Sequence, residues 1–182
     1  MPKTPTRPLA SFRWWLLALA FVVGLPALSI AQDRDNPEGE WRYIGGDAWH
    51  TRYSPLAQID ASNFEDLEVA WVWRGDNFGP IVDHLFRSTP IYVDGLLYTV
   101  AGRRRTVAAI DPATGETIWT YREPHTTRYD RGMRNNYGKG VAYAEVDGRG
   151  VILTSSPAFF LHALDAKSGR HLENWGQAVP LP

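Results

Sequence analysis

Between positions 122 and 139 the chain carries Arg122, Arg128, Arg131, Arg134 and Lys139 against only Glu123 and Asp130. A long polar stretch of this sign suits an anionic ligand, because guanidinium and ammonium groups hold carboxylates by charge-assisted hydrogen bonds. A solvated surface loop accounts equally for Arg122, Arg128 and Arg131, and that reading is kept for them. Arg103, Arg104 and Arg105 read as an exposed loop between strands. Asp83 and His84 could act as an acid–base pair, although adjacent residues of these types are common by chance. The histidines (His50, His84, His125, His162 and His171) show no metal-ligand spacing. No Gly-rich phosphate loop and no Gly-x-Ser-x-Gly nucleophile elbow is present.

Composition removes further classes. The chain has no cysteine, which excludes a disulfide scaffold, a zinc-thiolate site, an iron–sulfur cluster and a cysteine nucleophile. Nineteen Lys and Arg against 20 Asp and Glu give a net charge of -1, so no broad basic surface for nucleic acid is expected. Thirteen per cent aromatic residues, eight of them Trp, is too apolar for a disordered chain. Sixteen Gly and 13 Pro favour many turns between short strands.

Those strands recur on one plan. Ile59-Asp60-Ala61-Ser62-Asn63 is followed by Leu67 to Trp71. Ile110-Asp111-Pro112-Ala113-Thr114-Gly115 is followed by Glu116 to Trp119. Leu164-Asp165-Ala166-Lys167-Ser168-Gly169 is followed, slightly late, by Trp175. The aspartates lie 51 and 54 residues apart and the tryptophans 48 and 56, the period of a propeller or solenoid. The Asp carboxylate can close a turn on backbone N–H groups, Gly115 and Gly169 can take the left-handed conformation, and the Trp can pack on a neighbouring sheet. Hairpins precede the second and third turns, one folding at Asp94-Gly95 and one at Asp147 to Gly150. Each unit is therefore expected to be about four antiparallel strands, a propeller blade. A β-sandwich fits the hairpins but not the repeated Asp-to-Trp spacing. Trp41 and Trp49 are expected to pack between blades.

The first 31 residues read as an address. Lys3, Arg7 and Arg13 precede the apolar run Trp14 to Leu25, and Ser29-Ile30-Ala31 offers a small-x-small cleavage site. Export to the periplasm is expected, by the general secretory route because no Arg-Arg pair precedes the core. Cleavage after Ala31 would leave 151 residues and a charge of -4. The alternative is an uncleaved anchor, with membrane association; Trp14 to Ile30 is at the lower limit of length for a span.

The segment Ala109 to Trp119 resembles the tryptophan-docking repeat of the pyrroloquinoline quinone (PQQ) dehydrogenases, as does the weaker copy Ala163 to Gly169. Glu40 to Asp47, Arg52 to Ile59 and Leu67 to Trp73 are similar to the opening of that family, and Glu173 to Gln177 to a segment of its membrane-bound glucose dehydrogenase branch. The resemblance covers nearly all of residues 38 to 182. It implies an all-β fold, a partial β-propeller of four-stranded antiparallel blades, with residues 32–182 as the N-terminal portion of about three blade-sized units.

The same resemblance implies PQQ and calcium as cofactors. It implies hydride transfer from an aldose sugar or alcohol to the quinone, with an aspartate as base and ubiquinone or a cytochrome as electron acceptor. Arg87 stands where the family has a cofactor-contacting Glu, and Lys139 where it has an Arg near the quinone oxygens. Both are expected to contact the cofactor. Lysine keeps the charge but loses the planar fork, and a charge reversal at Arg87 either preserves anion binding or marks its loss. The calcium ligands and the general base lie farther along the family chain than residue 182, so no catalytic residue is expected here. A non-catalytic blade module is the alternative implied by that departure.

Overall fold

The structure is a computed structural model that describes residues 39–79, 81, 83–131 and 139–176. The proposed leader lies outside the described residues, as does Arg134. Among the described residues no helix is long and apolar enough to cross a membrane.

Local turn chemistry sets the strands. Asp94 and Gly95 both take positive φ (48° and 78°), as do Asp147 and Gly148 (51° and 71°), the backbone of the tight turn that matches strand twist. The first turn joins β1 (Ile91–Val93) to β2 (Leu96–Ala101); the second joins β5 (Ala142–Val146) to β6 (Arg149–Ser155). The expected turn at 147–150 is thus shorter, since Arg149 already belongs to a strand. β3 (Thr106–Ile110) and β4 (Thr117–Tyr121) complete a four-stranded antiparallel sheet in the order β1-β2-β3-β4. β7 (Leu161–Asp165) completes a three-stranded sheet, β5-β6-β7, and a single bridge from Leu164 to His171 begins a fourth position there.

The two sheets share one core. Ile91, Val93, Tyr98, Val100, Val107 and Ala109 from the first close on Val141, Ile152, Leu164 and Ala166 from the second. Alternation along β2 turns Leu97, Thr99 and Ala101 to the other face. There Trp71, Trp73, Phe86 and Ile110 join them around an apolar groove of about 560 Å³.

The first repeat unit differs from expectation. Leu67 to Trp73 is extended but belongs to neither sheet, and Val69 and Val72 are 80% and 77% exposed. A strand cannot satisfy its backbone alone, and the described residues provide no hydrogen-bonded neighbour strand for it. Trp41 bridges to Tyr92 and lies against Gly46, whereas Trp49 is half exposed.

Candidate functional site

The Asp turns are built as the residue types require. Asp111 Oδ1 accepts from the Ala113 and Thr114 amides at 2.7 and 3.2 Å, while the Gly115 amide donates to the Asp111 carbonyl at 2.8 Å. Asp165 repeats this with Ser168, whose amide and hydroxyl donate at 2.9 and 2.7 Å, and with Gly169 at 2.8 Å. Those bonds, the Ser168 hydroxyl first, hold the Asp165 carboxyl below its ordinary range.

Each turn then receives an indole from the preceding unit. Trp71 Nε1 donates to the Pro112 carbonyl and Trp119 Nε1 to the Ala166 carbonyl, both at 2.9 Å. Pro112 and Ala166 occupy the same position, immediately after the motif Asp. A Cβ at Gly115 would lie 2.8 Å from the Trp71 ring, and one at Gly169 would lie 2.5 Å from the Trp119 ring. The glycines therefore serve twice, for positive φ (75° and 68°) and for close approach of the indole. The spacing suggested the first role; the second needed the fold.

This equivalence identifies Leu67 to Trp73. Trp119 lies in β4, the outer strand of its sheet, and Trp71 docks as Trp119 does. Leu67 to Trp73 thus stands in the place of an outer strand ahead of the β1–β4 sheet.

Arg87 and Lys139 lie on exposed segments that lead into β1 and β5, the first strands of the two sheets. The Ser88 hydroxyl donates to the Gly140 carbonyl at 2.6 Å, which ties the two segments together across 52 residues. The strand-initial lip of one sheet is thereby fixed to that of the next. Ser88 carried no signal in the sequence, because one hydroxyl beside a cation is unremarkable there.

The basic stretch divides. Arg122 and Arg131 are exposed. Thr126 caps a single helical turn, α1 (Thr127–Asp130), by accepting from the Tyr129 amide at 3.2 Å, and His125 Nε2 meets Asp130 Oδ1 at 3.0 Å. Arg128 stacks over the Phe160 ring, 4.7 Å from its centroid. The Arg103 to Arg105 turn is half-buried, contrary to the exposed loop expected. Arg104 donates to the Glu123 carbonyl at 2.7 Å and Arg105 to the Ser155 carbonyl at 3.3 Å, so both bind other elements instead of water alone. Asp83 is buried and accepts from the Leu85 amide at 2.9 Å, a turn contact.

The sequence profile described as "Glucose/ethanol/alcohol dehydrogenase, beta-propeller domain", of the PQQ type, matches residues 41–179. The chain belongs to this PQQ dehydrogenase propeller family.

Its relatives agree. The chain is 31% identical to the quinohemoprotein alcohol dehydrogenase ADH IIB of Pseudomonas putida, over 92% of this chain and 24% of that protein. It is 36% identical to the quinohemoprotein alcohol dehydrogenase of Comamonas testosteroni, over 76% and 18%. To the glycerol dehydrogenase large subunit of Gluconobacter thailandicus it is 30% identical, over 84% and 22%. The crystal structure of the Comamonas testosteroni enzyme superposes with a TM-score of 0.59 and 31% identity, covering 89% of this chain and 22% of that one. The chain therefore spans about a quarter or less of these proteins. The two described sheets are antiparallel blades of a PQQ-type propeller.

Charge provides the test of fit to PQQ. Two cationic residues adjoin the joined lips at Ser88 and Gly140, which suits a group bearing several carboxylates. Among the described residues no three His, Cys, Asp or Glu side chains are grouped to hold a metal ion. The described residues fit an anionic cofactor.

Proposed function

We propose that this chain is the N-terminal portion of an exported PQQ-dependent dehydrogenase that oxidises an alcohol or an aldose sugar. The observation that carries the reading is the Ser88–Gly140 bond, which brings the segments of Arg87 and Lys139 to one lip of a propeller. When bound, PQQ supplies a quinone that accepts hydride from the carbinol carbon. Arg87 and Lys139 would hold its carboxylates by charge, and the Ser88–Gly140 tie would keep the two cations in register.

The names of the relatives support the substrate class and the cytochrome or quinone acceptors. They include alcohol and glycerol dehydrogenases and a 1-butanol dehydrogenase described as cytochrome c-linked. The Glu173 to Gln177 resemblance supports a sugar. Calcium would be held by residues other than those described. The basic, apolar, small-residue pattern of positions 1–31 supports export to the periplasm, or anchoring if that leader is retained.

A second reading is a non-catalytic propeller module. Arg87 and Lys139 favour it, since they replace the Glu and Arg of the family pattern. Titration with PQQ, followed by quenching of tryptophan fluorescence and by dye-linked oxidation of ethanol and glucose with added calcium, separates the two. The proposal expects PQQ binding that weakens on reversing either cation, with no turnover by this chain alone. Absence of PQQ binding would leave the module.

A further inference from the structure

A polar chain outside the proposed site joins the two sheets at their outer corner. Glu123, just after β4, is 7% exposed and its Oε1 accepts from the Ser156 hydroxyl at 2.7 Å. His162 Nε2, from β7, lies 3.3 Å from the same oxygen. His162 Nδ1 lies 3.3 Å from the Tyr121 hydroxyl of β4, and His171 Nε2 lies 2.8 Å from that hydroxyl. With Glu123 ionised and both imidazoles neutral, one proton arrangement makes every bond. His171 donates to Tyr121, Tyr121 to His162, and His162 to Glu123.

We propose that this His171–Tyr121–His162–Glu123 chain is an acid-sensitive latch, holding the edge segment at residues 170–172 both to β7 and to β4 of the preceding blade. Among the described residues the segment is also tied by the Leu172 amide, which donates to the Ala163 carbonyl at 3.0 Å, by the Arg170 carbonyl, which accepts from the Asp165 amide at 2.8 Å, and by the Arg170 amide, 3.5 Å from the Ser168 hydroxyl.

Acid acts on the latch through charge. The ring centroids of His162 and His171 are 5.2 Å apart, and both rings contact Tyr121. The other charged groups at this corner are Arg104 on the Glu123 carbonyl, Arg105 on the Ser155 carbonyl and Arg128 over Phe160, the ring that neighbours His162. Three guanidinium groups thus lie on the elements that meet at this corner. Burial first, and then His162, lower the proton affinity of His171 from its ordinary 6.5. The latched state therefore prefers neutral His171 and loses stability as pH falls below that ordinary value.

Amide hydrogen exchange by NMR on the full chain tests the latch. After correction for intrinsic rates, protection of the Leu172 amide should fall several-fold between about pH 8 and about pH 5.5, the range in which histidine titrates. Amides of the β2–β3 ladder should keep theirs. His171→Gln, a neutral donor, should abolish this pH dependence, and Tyr121→Phe should lower Leu172 protection already at the upper pH. Constant Leu172 protection in the native chain, or an equal fall in His171→Gln, would overturn the proposal.

Discussion

Trp119 and Ala166 are 47 residues apart in sequence, yet the indole N–H of one meets the carbonyl of the other at 2.9 Å. The Tyr98 hydroxyl donates to the same carbonyl at 3.1 Å, so one peptide oxygen in the second blade uses both lone pairs on the first. The indole also covers Gly169, and Tyr98 and Trp119 touch with ring centroids 6.0 Å apart. Blade-to-blade attachment is concentrated on these few groups.

Gly169→Ala and Gly148→Ala isolate that contact. Both glycines have positive φ, 68° and 71°, but a Cβ at Gly148 meets nothing within 4 Å whereas one at Gly169 meets the indole. Urea unfolding should show about 1 kcal/mol lost at Gly148 from backbone strain. At Gly169 the loss should be larger by about 1–3 kcal/mol, as overpacking costs. Equal losses would mean that the indole does not rest on Gly169.

Removing the Tyr98 hydroxyl should weaken the joint without opening a cavity. Tyr98→Phe is expected to cost about 1 kcal/mol, the usual net worth of a hydrogen bond. The Ala166 carbonyl keeps Trp119 as donor, so Tyr98→Phe combined with Trp119→Phe should cost more than the two changes separately. Denaturation midpoints of the two single variants and the double variant measure this.

Alkaline pH should loosen the same region. Burial raises the Tyr121 hydroxyl from 10.0 to about 12, and burial raises that of Tyr98 as well. A phenol with raised pKa stabilises the fold fully below its unfolded value of 10.0 and ceases to do so as pH rises through the folded value. Stability from urea titrations should be flat in this respect up to about pH 9 and should decline above about pH 10, with phenolate absorbance appearing together with unfolding.

Glu123→Ala should be among the most destabilising substitutions at the outer corner. It leaves the buried Ser156 hydroxyl and the His162 ring without their acceptor, which costs about 1–3 kcal/mol for each abandoned group. Glu123→Gln retains an acceptor oxygen and should recover part of the loss. Thermal unfolding of the two variants gives the comparison.

Ser88→Ala should affect cofactor affinity more than stability. The bond to the Gly140 carbonyl is partly buried and contributes about 1 kcal/mol, but it fixes the segments of both candidate cations. PQQ affinity should drop several-fold, Arg87→Glu and Lys139→Glu should each drop it further, and Lys139→Arg should retain it. Unchanged affinity in all four would remove these residues from the site.

The local parts of this protein were written in its sequence. Asp94-Gly95 and Asp147-Gly148 specify tight turns because few other pairs accept two positive φ values. Asp111 and Asp165 specify their turns through side-chain bonds two or three residues away. The recurrence of Asp and Trp gave the propeller, and ordered motifs gave the family. What tertiary structure decided are partners distant in sequence: Ser88 with Gly140, Trp71 with Pro112, and Glu123 with His162 and His171 through Tyr121. Such contacts depend on how one sheet sits against the next, which no local pattern encodes. The same reason explains two departures: the arginines at 103–105 are drawn into a joint between elements, and Leu67 to Trp73 docks its indole forward while its backbone belongs to neither sheet. A strand's residue pattern makes it extended; only the presence of neighbouring strands makes it part of a sheet.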